Sequence, residues 1–307
     1  MTKKIDLPVD LGKLKLKNPV LVASGTFGYG TENLGFVDTE KLGGVVTKTI
    51  TLRPRSGNPQ PRIFETASGV LNSIGLENIG LDRFLREKVP LLRRLRTSCI
   101  VSIGGGDYRE FSEMASAFPR GKFPSAIEVN ISCPNVKEGG ISFGQKPALA
   151  RRVLESVRKS TRLVLIAKLT PAVTSITEIA KACIDGGADI LTIGNTFPGM
   201  GIDLECKEPA IGRFRGGLSG PAIKPLMLLK VWEVASSLDI PIIGCGGIMS
   251  GRDALEYFAA GASAVQIGTG ALIDPRLPLR VLEEMREFQE ETRADGDALL
   301  LSPQGRG

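Results

Sequence analysis

Short runs of hydrophobic residues alternate along the chain with segments in which hydrophobic positions recur every three or four residues. The short runs are rich in β-branched residues and contain few polar positions, which is typical of strands buried on both faces of a parallel sheet. Eight candidate strands lie at residues 19–24, 43–49, 99–105, 126–132, 163–170, 188–196, 241–247 and 264–270.

The intervening segments have the period of amphipathic helices. Ile176, Ile179, Ala180 and Cys183 are separated by three or four positions, so they share one face of a predicted helix. The basic run at residues 83–96 carries leucines and a phenylalanine between its charges, and we interpret it as the solvated face of a surface helix.

Eight strand–helix units favour a closed (β/α)8 TIM barrel over an open doubly wound sheet, because no Gly-x-Gly-x-x-Gly fingerprint opens the first helix and each strand is expected to have its own helix. Residues 5–18 alternate in polarity and turn at Gly12. They predict an N-terminal β-hairpin that covers the barrel floor. We expect elaborated βα loops, a single domain over residues 1–307, and a frayed tail at 290–307.

Composition narrows the classes of function. The chain has a net charge of +6, but only 5% of its residues are aromatic, which disfavours nucleic-acid binding. No hydrophobic run is long enough to span a membrane, and the start lacks a signal-peptide core. The sequence therefore predicts a cytoplasmic protein with neither a nucleic-acid nor a membrane partner.

The five cysteines form no Cys-x-x-Cys pair, so neither a metal site nor a disulfide framework is predicted. Cys99, Cys183 and Cys245 lie within strand or helix patterns and are interpreted as small core residues. Cys206 lies in a long loop and is left undecided. Because the chain contains no histidine, a general base must be Cys, Lys, Tyr, Asp or Glu, and Cys133 is one candidate, since nearby basic groups or backbone amides can lower the pKa of a thiol.

Polar residues at the carboxyl ends of barrel strands are candidates for chemistry, because these ends meet at one rim. Gly246, Gly247 and Gly268 predict a phosphate site after the last two strands. Lys48 and Lys168 follow apolar strands and either reach a ligand anion or pair with acidic neighbours. Flavin mononucleotide (FMN) and a phosphosugar both fit this pattern.

Asparagine is the other frequent residue type at predicted strand ends. Asn72, Asn130, Asn135 and Asn195 offer amide donors and acceptors, which match a polar heterocycle with alternating C=O and N–H edges better than they match a phosphate.

Several motifs together carry a family resemblance. The segments NISCPN, GVLNSIGLEN, VTKT, LTIGNT, GGLSGPAIKP and IAKLTP, with the segment from Cys245 to Thr269, resemble the class 1 dihydroorotate dehydrogenases. The resemblance covers roughly residues 5–290. It implies an FMN-containing barrel of pyrimidine biosynthesis that oxidises dihydroorotate to orotate, with Cys133 as the base, Lys48 stabilising developing charge, and hydride passing to flavin N5.

The resemblance also implies two sets of binding residues. The substrate set is Lys48, Asn72, Ser73, Ile74, Gly75, Leu76, Asn130, Asn135, Asn195 and Thr196. The FMN set is Ser24, Gly25, Lys48, Thr49, Ser102, Asn130, Lys168, Gly194, Gly220, Gly246, Gly247, Gly268 and Thr269.

Two positions depart from the family pattern. The sequences of two further segments indicate the subtype. Ser102 stands where the family commonly has a flavin-contacting asparagine, and Gly194 stands where a bulkier apolar residue is usual. The segments NVKEGGISFG and FGYGTE are most similar to the NAD-linked type (class 1B). That type implies a homodimer core with a partner subunit carrying FAD and a 2Fe-2S cluster, together a heterotetramer.

Two alternatives stay open at this point. One is a fumarate-reducing homodimeric dihydroorotate dehydrogenase, and the other is a cofactor-free barrel lyase or isomerase that acts on a phosphorylated metabolite.

Overall fold

The structure is a computed structural model, and it describes residues 7–32, 35–119, 121, 123–132, 134–135 and 141–294. Eight parallel strands close a barrel in chain order, with the last strand paired to the first. Each overlaps its predicted segment, which confirms the (β/α)8 barrel. The strands are β1 (Val20–Val22), β2 (Gly44–Val46), β3 (Ser98–Ile103), β4 (Ala126–Asn130), β5 (Leu165–Leu169), β6 (Ile190–Ile193), β7 (Ile242–Cys245) and β8 (Ala264–Ile267).

Helices surround the barrel and bury their predicted apolar faces against it. Ile176, Ile179, Ala180 and Cys183 are all buried, as the periodicity predicts. The helices are α1 (Leu81–Arg83), α2 (Val89–Leu92), α3 (Tyr108–Ser116), α4 (Pro147–Ser160), α5 (Ile176–Asp185), α6 (Lys224–Ala235), α7 (Gly251–Ala259), α8 (Thr269–Ile273) and α9 (Leu277–Ala294).

The expectation that a helix follows every strand is wrong for the first connection. Between β1 and β2, the described residues contain only a 3-10 helix at Thr39–Lys41. An irregular loop covers the barrel there instead, because it buries Phe27 and Tyr29. The Tyr29 ring packs against Phe84 with a centroid distance of 5.6 Å.

The basic run at 83–96 begins in a helix, as predicted. A π-helical turn at Phe84–Lys88 joins α1 to α2, and Phe84 and Leu92 are buried while Arg83 and Arg86 point to solvent. The helix ends at Leu92, so the last residues of the run lie outside it.

The N-terminal hairpin closes the barrel floor, as predicted. Val9–Asp10 pairs antiparallel with Lys15–Leu16 around the turn at Gly12. The side chains of Leu11, Leu14 and Leu16 pack against hydrophobic residues inside the barrel, one from each of the eight strands. The lower end of the lumen is therefore filled and apolar.

The side chains of each barrel strand point alternately into the lumen and towards the surrounding helices. On β4, Ala126 belongs to the apolar floor of the lumen, whereas Ile127 and Val129 pack with the helix-facing core. Glu128 and Asn130 follow Ala126 at intervals of two and therefore also face the lumen. Polar side chains thus lie above an apolar floor.

A four-stranded antiparallel sheet, here called the added sheet, lies on the rim of the barrel and confirms the expected elaboration of the loops. Its strands, in spatial order, are Phe197–Gly199, Gly216–Ser219, Gly69–Asn72 and Ile63–Thr66. The sheet joins the connection after β2 to the connection after β6, with Asn72 opposite Gly217.

At the C-terminal end, α9 continues to Ala294, so residues 290–294 of the predicted tail are helical. Residues 295–307 lie outside the described residues. Across the part of the chain that the structure describes, no helix combines the length and the apolar character needed to cross a bilayer. The single-domain assignment of residues 1–307 stays a prediction.

We expect Gly244→Ala to destabilise the barrel. A Cβ atom at this position in β7 would lie 2.3 Å from Cδ1 of Tyr257, and that ring is held by a 2.6 Å hydrogen bond from its hydroxyl to the Gly246 carbonyl. Overpacking of this kind lowers the free energy of unfolding by about 1–3 kcal/mol, measurable by thermal denaturation.

The matched control is Gly35→Ala, where a Cβ atom would meet no atom within 4 Å. Its stability should stay within about 0.5 kcal/mol of the parent chain. Equal stability of the two variants would contradict the packing described around Tyr257.

Candidate functional site

A cavity of about 380 Å3 opens at the carboxyl ends of the strands, beneath the added sheet. Most residues predicted from the sequence line it. They are Ser24, Gly25, Lys48, Thr49, Asn72, Ile74, Leu76, Asn130, Lys168, Gly194, Asn195, Thr196, Gly220, Gly246, Gly247, Gly268 and Thr269.

Five predicted residues are not among the described residues that line this cavity. Ser73 is buried beside the cavity, where its hydroxyl accepts a 2.8 Å hydrogen bond from Asn58. Gly75 packs against Asn58, and Ser102 lies below the cavity, fully buried. Cys133 is outside the described residues, and only the backbone of Asn135 is described, in a short strand with Pro134.

A second cavity, of about 390 Å3, lies near the opposite end of the barrel, next to Cys99 at the start of β3. Arg93 is the one charged side chain among its described lining residues. No predicted site residue lines it, so the candidate chemistry belongs to the cavity at the carboxyl ends.

Three side-chain amides line the main cavity, and two of them are hydrogen-bonded to each other. Asn195 Nδ2 donates to Ser132 Oγ at 2.9 Å and to Asn130 Oδ1 at 3.4 Å. From the added sheet, Asn72 Nδ2 donates to the Gly217 carbonyl at 3.1 Å. These bonds fix the amide orientations, so their remaining donors and acceptors form a polar surface of defined pattern.

Hydroxyl groups connect the cavity wall to the layer below. The Oγ1 atom of Thr49 lies 3.2 Å from Ser24 Oγ and 2.9 Å from Ser102 Oγ. Asn130 Nδ2 also donates to Thr49 Oγ1, at 3.4 Å. The serine that departs from the family pattern thus orients Thr49 rather than lining the cavity itself.

Lys48 is a cation available to a ligand. It lies just after β2, and its backbone N–H donates to the Gly28 carbonyl at 2.7 Å. Its ammonium has no hydrogen bond or ion pair with any described residue, although the side chain lines the cavity. An anionic or electron-rich ligand atom would supply the missing partner.

Lys168 both lines the cavity and pairs with an acidic neighbour. Its Nζ lies 3.5 Å from Glu128 Oε1 and donates to Gln266 Oε1 at 3.1 Å. Burial lowers the pKa of the Lys168 ammonium, but the Glu128 carboxylate, together with Cys245, raises that pKa by more. Of the two roles left open by the sequence, pairing with an acidic neighbour is observed, and contact of Lys168 with a ligand stays a prediction.

Backbone conformation forces glycine at two positions of the wall. Gly194 has φ of +143°, and a Cβ atom there would lie 2.0 Å from the Cys245 carbonyl oxygen. Gly247 has φ of +69°, and a Cβ atom there would meet Lys224 at 2.7 Å and the Gly220 carbonyl oxygen at 2.9 Å. The absence of side chains lets a ligand approach the backbone closely.

The glycine loop after β7 is held by a charged group beneath it. Asp253 accepts hydrogen bonds from Met249 N at 2.9 Å and from Lys224 Nζ at 2.6 Å. Burial raises the pKa of Asp253, but the Lys224 ammonium and the Met249 amide lower it by more, so the net shift is downward.

Comparison with known proteins identifies the family. A family model described as dihydroorotate dehydrogenase matches residues 6–288. The chain belongs to the dihydroorotate dehydrogenase family. This confirms both the resemblance carried by the motifs and the expectation of a dihydroorotate dehydrogenase enzyme.

Curated relatives share the subtype indicated by the sequence. The chain is 49% identical over 288 residues to "Dihydroorotate dehydrogenase B (NAD(+)), catalytic subunit" of Geotalea uraniireducens, covering 94% of each protein. The protein of the same name in Trichlorobacter lovleyi is 50% identical over 300 residues, which cover 97% of this chain and 99% of that protein. A third, from Geotalea daltonii, is 51% identical over 272 residues, covering 89% of each.

Three residues in or beneath this cavity were not predicted from the sequence. Ser219 lines the cavity and accepts a 2.8 Å hydrogen bond from Thr269; its place between the glycines of GGLSGP was the available signal. Cys245, interpreted as a core residue, is buried but lines the cavity. Glu128 was missed although a charged residue within an apolar strand signals a buried partner.

The other described cysteines lie away from the main cavity. Cys99 and Cys183 are buried in the core, and burial raises the pKa of Cys99 to about 12. Cys206 is exposed in the turn after Asp203, and that carboxylate raises the pKa of the Cys206 thiol.

We expect Asp253→Asn to lower the free energy of unfolding by about 1–3 kcal/mol at pH 7. Because the pKa of Asp253 is depressed in the folded chain, the carboxylate stabilises the fold above its unfolded pKa of about 4 and stops doing so as the pH falls through the lower folded value. Denaturant titrations between pH 7 and pH 3 should show the difference between parent and variant shrinking with acidity.

Asp185→Asn is the control for this pair. Asp185 makes a solvent-exposed bond to Lys181 within one helix, so its replacement should cost no more than about 0.5 kcal/mol. A loss for Asp253→Asn that is constant with pH would remove the charge of Asp253 from the explanation.

Proposed function

We propose that this chain is the FMN-binding catalytic subunit of an NAD-linked dihydroorotate dehydrogenase, which oxidises dihydroorotate to orotate in pyrimidine biosynthesis. The observation that carries the proposal is the ammonium of Lys48, which has no partner among the described residues and shares a cavity with the amides of Asn72, Asn130 and Asn195. The cavity therefore combines a cation with several amide donors and acceptors, in a chain of the dihydroorotate dehydrogenase family.

The cavity residues fit FMN. At one end, the glycine-bearing loops after β7 and β8 and the hydroxyls of Ser219 and Thr269 offer small donors suited to a phosphate. At the other end, Lys168, Asn130 and Thr49 offer donors to the polar edge of a flavin ring. FMN, when bound, supplies the hydride acceptor at its N5 atom.

The amides and Lys48 suit the substrate. Dihydroorotate has ring C=O and N–H groups, which the side chains of Asn72, Asn130 and Asn195 match in donor and acceptor type. Loss of a ring proton from the carbon beside a carbonyl places negative charge on that carbonyl oxygen. The Lys48 ammonium stabilises this charge and lowers the barrier to proton removal.

Cys133 is the proposed base that removes this proton. Its own position lies outside the described residues, but the preceding residue, Ser132, contacts a residue of the cavity wall. Ser132 Oγ accepts from Asn195, and beyond it Pro134–Asn135 pairs antiparallel with Ile141–Ser142. A cation close to the thiol would favour the thiolate form that acts as the base.

Electrons are proposed to leave through a separate subunit. The relatives are named catalytic subunits of NAD(+)-dependent enzymes, which supports a partner. The five cysteines of this chain show no cluster spacing suited to an iron–sulfur centre. FAD and a 2Fe-2S cluster are therefore assigned to the partner, in a heterotetramer built on a dimer of this chain, and the cytoplasmic location stays a prediction.

The test is anaerobic mixing of the purified chain with dihydroorotate while the flavin absorbance is recorded. We expect bleaching on addition of substrate, no recovery with fumarate, and recovery with NAD only when the co-purified partner subunit is present. Recovery with fumarate alone would replace the NAD-linked subtype with the fumarate-reducing one. A colourless chain that does not take up FMN would overturn the proposal.

We expect Cys133→Ser to slow flavin reduction by about 10²-fold or more at neutral pH, because a serine hydroxyl is a far poorer base than a thiolate. Stopped-flow absorbance measures the rate directly. Cys206→Ser is the matched control, since Cys206 is exposed and does not line the cavity. A parental rate for Cys133→Ser would exclude Cys133 as the base.

A further inference from the structure

A buried polar layer lies between the apolar floor and the cavity. Glu128, Thr192 and Gln266 are fully buried there, with no solvent exposure. Glu128 Oε2 accepts hydrogen bonds from Gln266 Nε2 at 2.8 Å and from Thr192 Oγ1 at 3.2 Å. Glu128 Oε1 has no hydrogen bond among the described residues and lies 3.5 Å from Lys168 Nζ.

Gln266 joins the two charged groups. Its Nε2 donates to Glu128, while its Oε1 accepts from Lys168 Nζ at 3.1 Å. The amide can satisfy both groups in only one orientation, because a flipped amide would turn its donors towards the ammonium. The lysine ammonium is thus anchored from below, on the side away from the cavity.

Stability alone does not account for this pair. A buried ion pair gains little over well-packed apolar residues, because removing two charges from water offsets their attraction. Neighbouring lumen positions are apolar, as at Ala126 and Ile166. Of the two charged residues, Lys168 lines the cavity and Glu128 does not, so the carboxylate acts on a ligand through the lysine.

We propose that Glu128 is a positioning residue which, through Gln266, holds Lys168 as an ammonium against the bound flavin and thereby sets the electron affinity of the cofactor. The inference rests on the proposed function, since it needs a flavin in the cavity. A fixed positive charge beside the flavin ring favours the reduced, more negative form.

The groups around Lys168 support this role. Burial lowers the pKa of Lys168, and Glu128 is the largest contribution that raises it, followed by Cys245 on β7. The other charged side chains of the described cavity wall are Lys48 and Glu77, and Glu77 is bonded to Arg62. Without the Glu128 carboxylate, burial dominates and the lysine loses its proton more readily.

The experiment measures the reduction potential of the bound flavin from pH 6 to pH 9.5 in the parent holoenzyme and in Glu128→Gln, by anaerobic titration against redox dyes. In the parent, Lys168 stays protonated throughout and adds nothing to the pH dependence. In Glu128→Gln, the lysine is neutral at high pH and takes up a proton on reduction. At high pH, the flavin potential of Glu128→Gln should then fall more steeply with pH than that of the parent. The difference corresponds to one additional proton taken up for each two electrons.

Thr192→Val is the control, because it removes a neutral donor to the same carboxylate and leaves every charge in place. It should reproduce the parental pH dependence. A steeper fall shared by Thr192→Val and Glu128→Gln would indicate altered packing and would overturn the proposal, as would identical curves for Glu128→Gln and the parent.

Glu128→Asp keeps the test decisive if Glu128→Gln does not fold or retain flavin. The shorter aspartate side chain places the negative charge farther from Lys168 by about one methylene. The flavin potential of Glu128→Asp should therefore fall more steeply at the upper end of the pH range, and that of Thr192→Val should not. A parental curve for Glu128→Asp in that case would overturn the proposal. A parent enzyme that binds no flavin, in contrast, would overturn the proposed function before any variant is compared.

Discussion

The site depends on one geometric constraint, which is that successive side chains of a barrel strand point alternately into the lumen and towards the helices. On β4, the lumen positions run from Ala126 in the floor through Glu128 in the buried polar layer to Asn130 in the cavity wall. Five consecutive residues thus cross three environments of different polarity. A shift of the strand by one residue would move all three side chains from the lumen face to the helix face.

This constraint explains why the polar layer must be self-sufficient. The hairpin side chains Leu11, Leu14 and Leu16 close the lumen from below, so water does not reach Glu128 from the floor. Its charge is compensated within the barrel, by Lys168 and by the donors of Thr192 and Gln266. A carboxylate in this position is tolerable only because several strands each contribute one partner.

The sequence predicted the framework well because hydrophobic period is a local signal. The eight strands, the floor hairpin and the helix face of Ile176 and Cys183 all follow from it. The connection before Thr39–Lys41 was mispredicted because Phe27 and Tyr29 cover the barrel without helical periodicity. Hydrophobic periodicity does not predict an irregular loop that covers the barrel.

For the site, residue type and position at strand ends located most of the cavity wall, but not the contacts between distant segments. The sequence predicts Lys168 as a lysine on the rim of the barrel. It does not predict the partners Glu128 and Gln266, because they lie 40 and 98 residues away on other strands. Ser102 is buried and hydrogen-bonded to Thr49 from below, and its contact with FMN stays a prediction. Hydrogen bonds of this kind appear only once the barrel has closed.

The added sheet divides the site between two structural units. Asn72 belongs to a strand of this sheet, in register with Gly217, whereas Lys168 and Gly247 belong to the barrel or its immediate loops. Substitutions in the sheet therefore change the upper wall of the cavity and leave the barrel lumen intact. In evolutionary terms, this separation lets a surface insertion be exchanged without rebuilding the barrel beneath it.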